Sequence, residues 1–275
     1  MESEPKERPK LQLQLNLDAI LAPAHIATVT SSEVVDLFFN AMTSADLSKK
    51  PENDATRYKF KSPEQSAESR RAAFESWIFS KAFQDLMRGV RGSLEQAYFF
   101  QELSKTKEVK SDITLDDLLA PFYKRASDLS FPDLLEKVNA SLKEPLIFSD
   151  AFNSLQKARN CFEHRAGIVG KKDISADGSM KLHFPTLKMF HYRGGQEVEL
   201  VAGQILDTHD ADKDGERGVQ IFSRLDLRHR EFRLGERLSL DLADFNQIAF
   251  ACHFFAVELA NKFVGQNGEA PSAMR

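Results

Sequence analysis

The chain has 275 residues, 42% hydrophobic and 28% charged, enough for one elaborated domain or two small ones. A net charge of -4 and a pI of about 6.0 exclude a surface that is basic throughout, so any polyanion has to be held by a local pocket. No stretch reaches the roughly 18 consecutive apolar residues of a membrane span, and the opening MESEPKERPK lacks the apolar centre of a signal peptide. Cys161 and Cys252 have neither zinc-ligand nor disulfide spacing. A cytoplasmic chain is expected, with two reduced thiols packed on helices and neither metal nor cofactor.

In chain order, residues 1–10 are charged and proline-bearing and read as a disordered tail. Residues 11–69 form an N-terminal segment and linker. Within it the alternation LQLQLNL predicts a short strand, and Thr30 and Glu33 have capping-box spacing ahead of an apolar run, which predicts a helix start. The stretch is expected to pack against the folded part that follows. From Arg70 onward Phe74, Trp77, Ile78, Ala82, Leu86, Val90, Leu94 and Ala97 recur at steps of three and four, predicting one long helix weakened at Gly89 and Gly92. Trp77 lies on that apolar stripe and reads as core rather than as a base-stacking platform.

Thr114 and Asp117 predict the cap of the next helical stretch, which Pro121 and Pro132 are expected to divide. A further helix is predicted from a Ser149 cap through Phe152, Leu155 and Phe162 to a stop at Gly167. Between about 168 and 241 the period changes to two, in MKLHFPTLKMFHY, QEVELVAGQIL and VQIFSRLDLRHREFRL, with Arg193, Gly194 and Gly195 at a hairpin turn. The chain then returns to helix, with Phe245, Ile248, Ala249, Cys252, Phe255, Ala256 and Leu259 on one face. Residues 266–275 read as a second tail. The predicted fold is mainly α: an antiparallel helical bundle over residues 70–265 with a β-rich insertion before its last helix.

Two stretches imitate functional motifs without completing them. DADKDG places Asp210, Asp212, Asp214 and Gly215 as in a calcium loop, but Ile221 stands where the bidentate carboxylate is needed and Arg217 where an apolar residue is needed. RLDLRHREFRLGER is rich in arginine but interleaved with Asp226, Glu231 and Glu236, the pattern of a mixed-charge strand face.

KARNCFEHRAGIVG, residues 157–170, is different. On a helix Asn160 and His164 are four apart and share a face, so the amide could orient the imidazole, with Arg159 beside them. A histidine exchanges protons near neutral pH, and a guanidinium holds a phosphate through fixed paired donors. Together they suffice to cleave RNA without a metal. The competing reading is structural: Arg159 and Glu163 are also four apart and form a surface ion pair, leaving His164 to interact with the helix C-terminal dipole. Arg224 and His229 repeat the Arg-to-His spacing in a segment that alternates as a strand.

With its glycine stop and helical context, ARNCFEHRAGIV resembles the R-x4-6-H signature of HEPN domains in the form R-N-x-x-x-H, over roughly residues 70–265 with the motif on the third helix. The resemblance implies a homodimeric, metal-independent endoribonuclease whose two motifs meet at the dimer interface, of a kind that serves as a toxin or in antiphage defence, with an antitoxin or defence-system protein as a further partner. It implies His164 as the acid/base group, Arg159 as the phosphate stabiliser and Asn160 as the positioning residue. Arg165, Lys171 and Lys172 follow closely and are candidates for the RNA backbone. The alternative is a non-catalytic HEPN-like module that binds a partner protein or nucleotide.

Overall fold

A computed structural model of the chain describes residues 16–48, 66–106, 114–200 and 220–267, with the side chains of 264–267 left aside. The alternation at 11–15, the carboxylate-rich turn at 210–215 and most of both predicted tails lie outside these residues. Among the described residues the fold is mainly helical, with a small antiparallel sheet between the fifth and sixth helices.

Helix α1 spans Asp18–Ser44 without interruption, so Thr30 and Glu33 lie inside it and cap nothing. Its partner α2, Ala67–Ser104, is capped by Ser66, whose hydroxyl accepts from the Ser69 amide. The glycines of α2 let it pack directly against the internal Pro23 of α1. A Cβ on Gly89 would lie 2.5 Å from the Ala27 Cβ and 2.8 Å from the Pro23 carbonyl oxygen, and one on Gly92 would lie 2.9 Å from the Pro23 ring. These positions make room for a close helix crossing and leave α2 unbroken. The Ser93 hydroxyl accepts from the Ala24 amide at 3.2 Å within the same contact.

The stripe on α2 is buried from Ile78 onward, but Phe74 and Trp77 are exposed, Trp77 to 61%. Trp77 is therefore not core. Phe79 packs against Phe39 near the end of α1 and against Phe245 in the first turn of α6, whereas Trp77 lies one turn before the exposed Lys81 on the outward face of α2. Helix α3, Leu115–Asp128, has the expected Thr114 cap and runs through Pro121, which sits on its exposed side. The break falls instead at Ser130, which caps α4, Phe131–Ser141, with Pro132 in its first turn where a missing N–H does no harm. The motif helix α5, Ser149–Arg165, is consequently the fourth helix counted from residue 70, not the third. Ser149 is its first residue and not its cap: the hydroxyl accepts from Asn139 and donates to the Leu146 carbonyl.

Strand β1, Ser179–Arg193, lies between β2, Gln196–Glu199, and β3, Phe222–Arg233, all antiparallel. Gly194 and Gly195 both take positive φ between the paired Arg193 and Gln196, as a two-residue hairpin of this twist requires. Met180, Leu182, Phe184 and Phe232 face the helices and are buried. Helix α6, Leu242–Asn267, closes the bundle with its predicted apolar face buried throughout. Asp244, fully buried, receives Arg230 at 2.5 Å and faces Arg228 at 3.1 Å, tying β3 to α6. One hydrophobic core includes residues of α1, all later helices and the sheet, in keeping with the expected packing of the N-terminal segment.

Candidate functional site

Helix α5 is held at both flanks. The Ser154 hydroxyl accepts from the His183 amide at 2.8 Å and donates to the His183 carbonyl at 2.9 Å, closing the free edge of β1. At the C-terminus Ala166 takes φ +50° and Gly167 +77°, and the Gly167 amide donates back to the Cys161 carbonyl. The chain leaving α5 then pairs with the chain entering α6, Leu238 donating to Gly167 at 2.7 Å and Val169 to Glu236 at 2.9 Å. Gly167 is the predicted stop. It also lies against the Phe162 ring, 3.2 Å from where a Cβ would stand.

On this fixed helix end Arg159, Asn160, Glu163 and His164 form one cluster. Glu163 is its centre: its carboxylate pairs with the Arg159 guanidinium and lies 3.5 Å from His164 Nε2. Asn160 Oδ1 accepts from Gln156 Nε2 at 3.0 Å and from Arg159 Nη1 at 3.3 Å. Asn160 therefore positions the arginine, not the imidazole as the four-residue spacing suggested, because Glu163 is the group beside His164. The Arg159 side chain is 26% exposed and that of His164 is 61% exposed, so the cation is partly sheltered and the imidazole stands open to a ligand. Gln156 was missed in the sequence, although its four-residue step to Asn160 was a visible signal.

The three basic residues that follow part company. Arg165 is bidentate on Asp173, a carboxylate only 3% exposed that also accepts from the Gly170 amide at 2.8 Å. That guanidinium holds the turn after α5 and is a structural group instead of a free phosphate ligand. Lys171 and Lys172 lie in the same turn and are exposed. Cys161 and Cys252 are both free and buried, and burial pushes both thiols up, away from the reactive thiolate.

The second Arg-to-His pair is dismembered by the sheet. Arg224 forks onto Glu197 at 2.5 and 3.0 Å, with Lys188 on the same carboxylate at 2.9 Å. His229 instead faces His183, its cross-strand partner, on the opposite side of the sheet.

Comparison of the chain with known protein families, with characterised proteins and with solved structures finds no match. The fold and site thus define a mainly helical protein with a small antiparallel sheet and a polar Arg-Asn-Glu-His cluster closing one helix. Among the described residues no helix is long and apolar enough to cross a membrane.

Proposed function

We propose that the protein is a HEPN-type, metal-independent endoribonuclease of the cytoplasm, active as a homodimer, with Arg159, Asn160 and His164 as its site. The observation that carries the reading is the coincidence, on one rigid helix end, of an open imidazole and a sheltered guanidinium bridged by one carboxylate. In the reaction His164 accepts the proton of a ribose 2′-hydroxyl while that oxygen bonds to the adjacent phosphorus. The bond from phosphorus to the 5′-oxygen breaks, and a proton delivered to that oxygen leaves a 5′-hydroxyl and a 2′,3′-cyclic phosphate. Two such motifs facing each other across a dimer supply one imidazole for each transfer. Arg159, turned from Glu163 to the phosphate, counters the charge that develops on it. Lys171 and Lys172 contact the RNA backbone beside the site. A role as toxin or antiphage effector, held in check by a partner protein, fits a nuclease of this kind.

The second reading is a non-catalytic interaction module, and the Arg159–Glu163 pair favours it, since that contact already satisfies the guanidinium. Incubation of the full chain with total RNA and tRNA in excess EDTA separates the two. Cleavage that leaves cyclic phosphate ends, and that falls by about 10²–10⁴ in His164→Ala, supports the nuclease. RNA left intact by a folded dimer supports the module.

A further inference from the structure

Four of the seven histidines fall into two facing pairs, one across the sheet and one between helices. The second pair lies where the N-terminal helix meets the last one. His25 on α1 and His253 on α6 are 228 residues apart in the chain, and their Nδ1 atoms are 3.5 Å apart. The ring centroids are 5.3 Å apart and the planes are tilted by 52°, so the imidazoles meet through their nitrogens and are not stacked face to face.

We propose that His25 and His253 form a two-histidine site for a borderline divalent transition-metal ion of the zinc class, which ties α1 to α6. Two imidazole nitrogens bound to one tetrahedral zinc at about 2.0–2.1 Å lie about 3.3–3.4 Å from each other. The observed separation needs only a slight adjustment to accept the ion. Donor chemistry selects the metal: imidazoles suit zinc, nickel and copper, whereas magnesium and calcium prefer oxygen ligands. Cys252, next in sequence to His253, is fully buried and adds no ligand. Among the described residues no third side chain of a metal-binding type joins the pair, so water completes the coordination. The site is separate from the cluster on α5 and does not depend on the ribonuclease reading.

Binding to the folded state alone raises the melting temperature, and for a chain of this size zinc at a hundredfold excess over its dissociation constant gives a rise of about 5 °C or more. The experiment is thermal unfolding of the EDTA-stripped and dialysed full chain with zinc chloride, with magnesium chloride and without added metal. Wild type and His229→Gln should both show the rise with zinc and none with magnesium, and His25→Gln should lose it. His25 is exposed, so its replacement leaves the core intact. No zinc-dependent rise in wild type, an equal rise in His25→Gln, or a rise lost only in His229→Gln would each overturn the proposal.

Discussion

Arg159 and His164 on α5, and Arg224 and His229 on β3, have the same spacing in the chain and opposite fates in the fold. Five residues along a helix turn through about 140° beyond a full turn, near enough for Glu163 between them to touch both side chains. Five residues along a strand are an odd number, so the two side chains leave on opposite faces. Arg224 joins Glu197 and Lys188 on one face while His229 meets His183 on the other. Spacing by itself therefore says nothing about a site. The element that carries it decides whether two groups can act on one ligand.

The largest effect expected outside catalysis concerns the frame of the strand-borne pair. Asp244→Ala leaves Arg228 and Arg230, both about a third exposed, without the buried carboxylate that ties β3 to α6, and should destabilise the protein by about 1–3 kcal/mol, read as a lowered urea midpoint. A loss under about 1 kcal/mol would contradict that assignment. Acid should have a smaller effect, and through the paired histidines. His183 and His253 are held below the ordinary imidazole value of 6.5, first by burial and then by the histidine each one faces. Just below pH 6.5 the unfolded chain binds protons that the folded chain does not, so stability rises with pH through that window and is lost as pH falls. Melting temperature in metal-free buffer should drop between pH 7.5 and pH 5, and His253→Gln should flatten the curve; an unchanged slope in that variant would argue against the helix-borne pair as a source.

The smallest effect on stability belongs to Glu163→Gln, which removes one partly exposed ion pair and should change stability by no more than about 0.5 kcal/mol. It releases Arg159, so RNA cleavage should rise. A hundredfold fall in cleavage would instead place Glu163 in the proton-transfer machinery.

Legibility in the sequence followed how local the determining physics was. The hairpin at Gly194–Gly195, the Thr114 cap and the stop at Gly167 depend on neighbours in sequence, and all three are where the residues indicated. The face of α6 was legible because burial follows the helical period over its length. The misplacements have tertiary causes. The capping-box spacing of Thr30 and Glu33 indicated a helix start there, but α1 already begins at Asp18 and its early turns pack on α2 at Gly89 and Gly92. Trp77 falls at the edge of the stripe, on the α2 face that also carries the exposed Lys81, while its neighbours Ile78 and Phe79 are buried. In the site, Arg159, Asn160, Glu163 and His164 are within two helical turns and could be read together. Arg165 could not, because Asp173, which holds it, comes from the turn that follows. The pair His25 and His253 was out of reach of any spacing rule.

The most direct test of the central claim is cleavage of total RNA in EDTA by four single variants at matched concentration: Arg159→Ala, His164→Ala, Arg224→Ala and His229→Ala. Loss of cleavage by about 10²–10⁴ in the first two, with near wild-type activity in the last two, is the result predicted for a site built on α5. Equal activity in all four folded proteins, or loss confined to the strand pair, would contradict it.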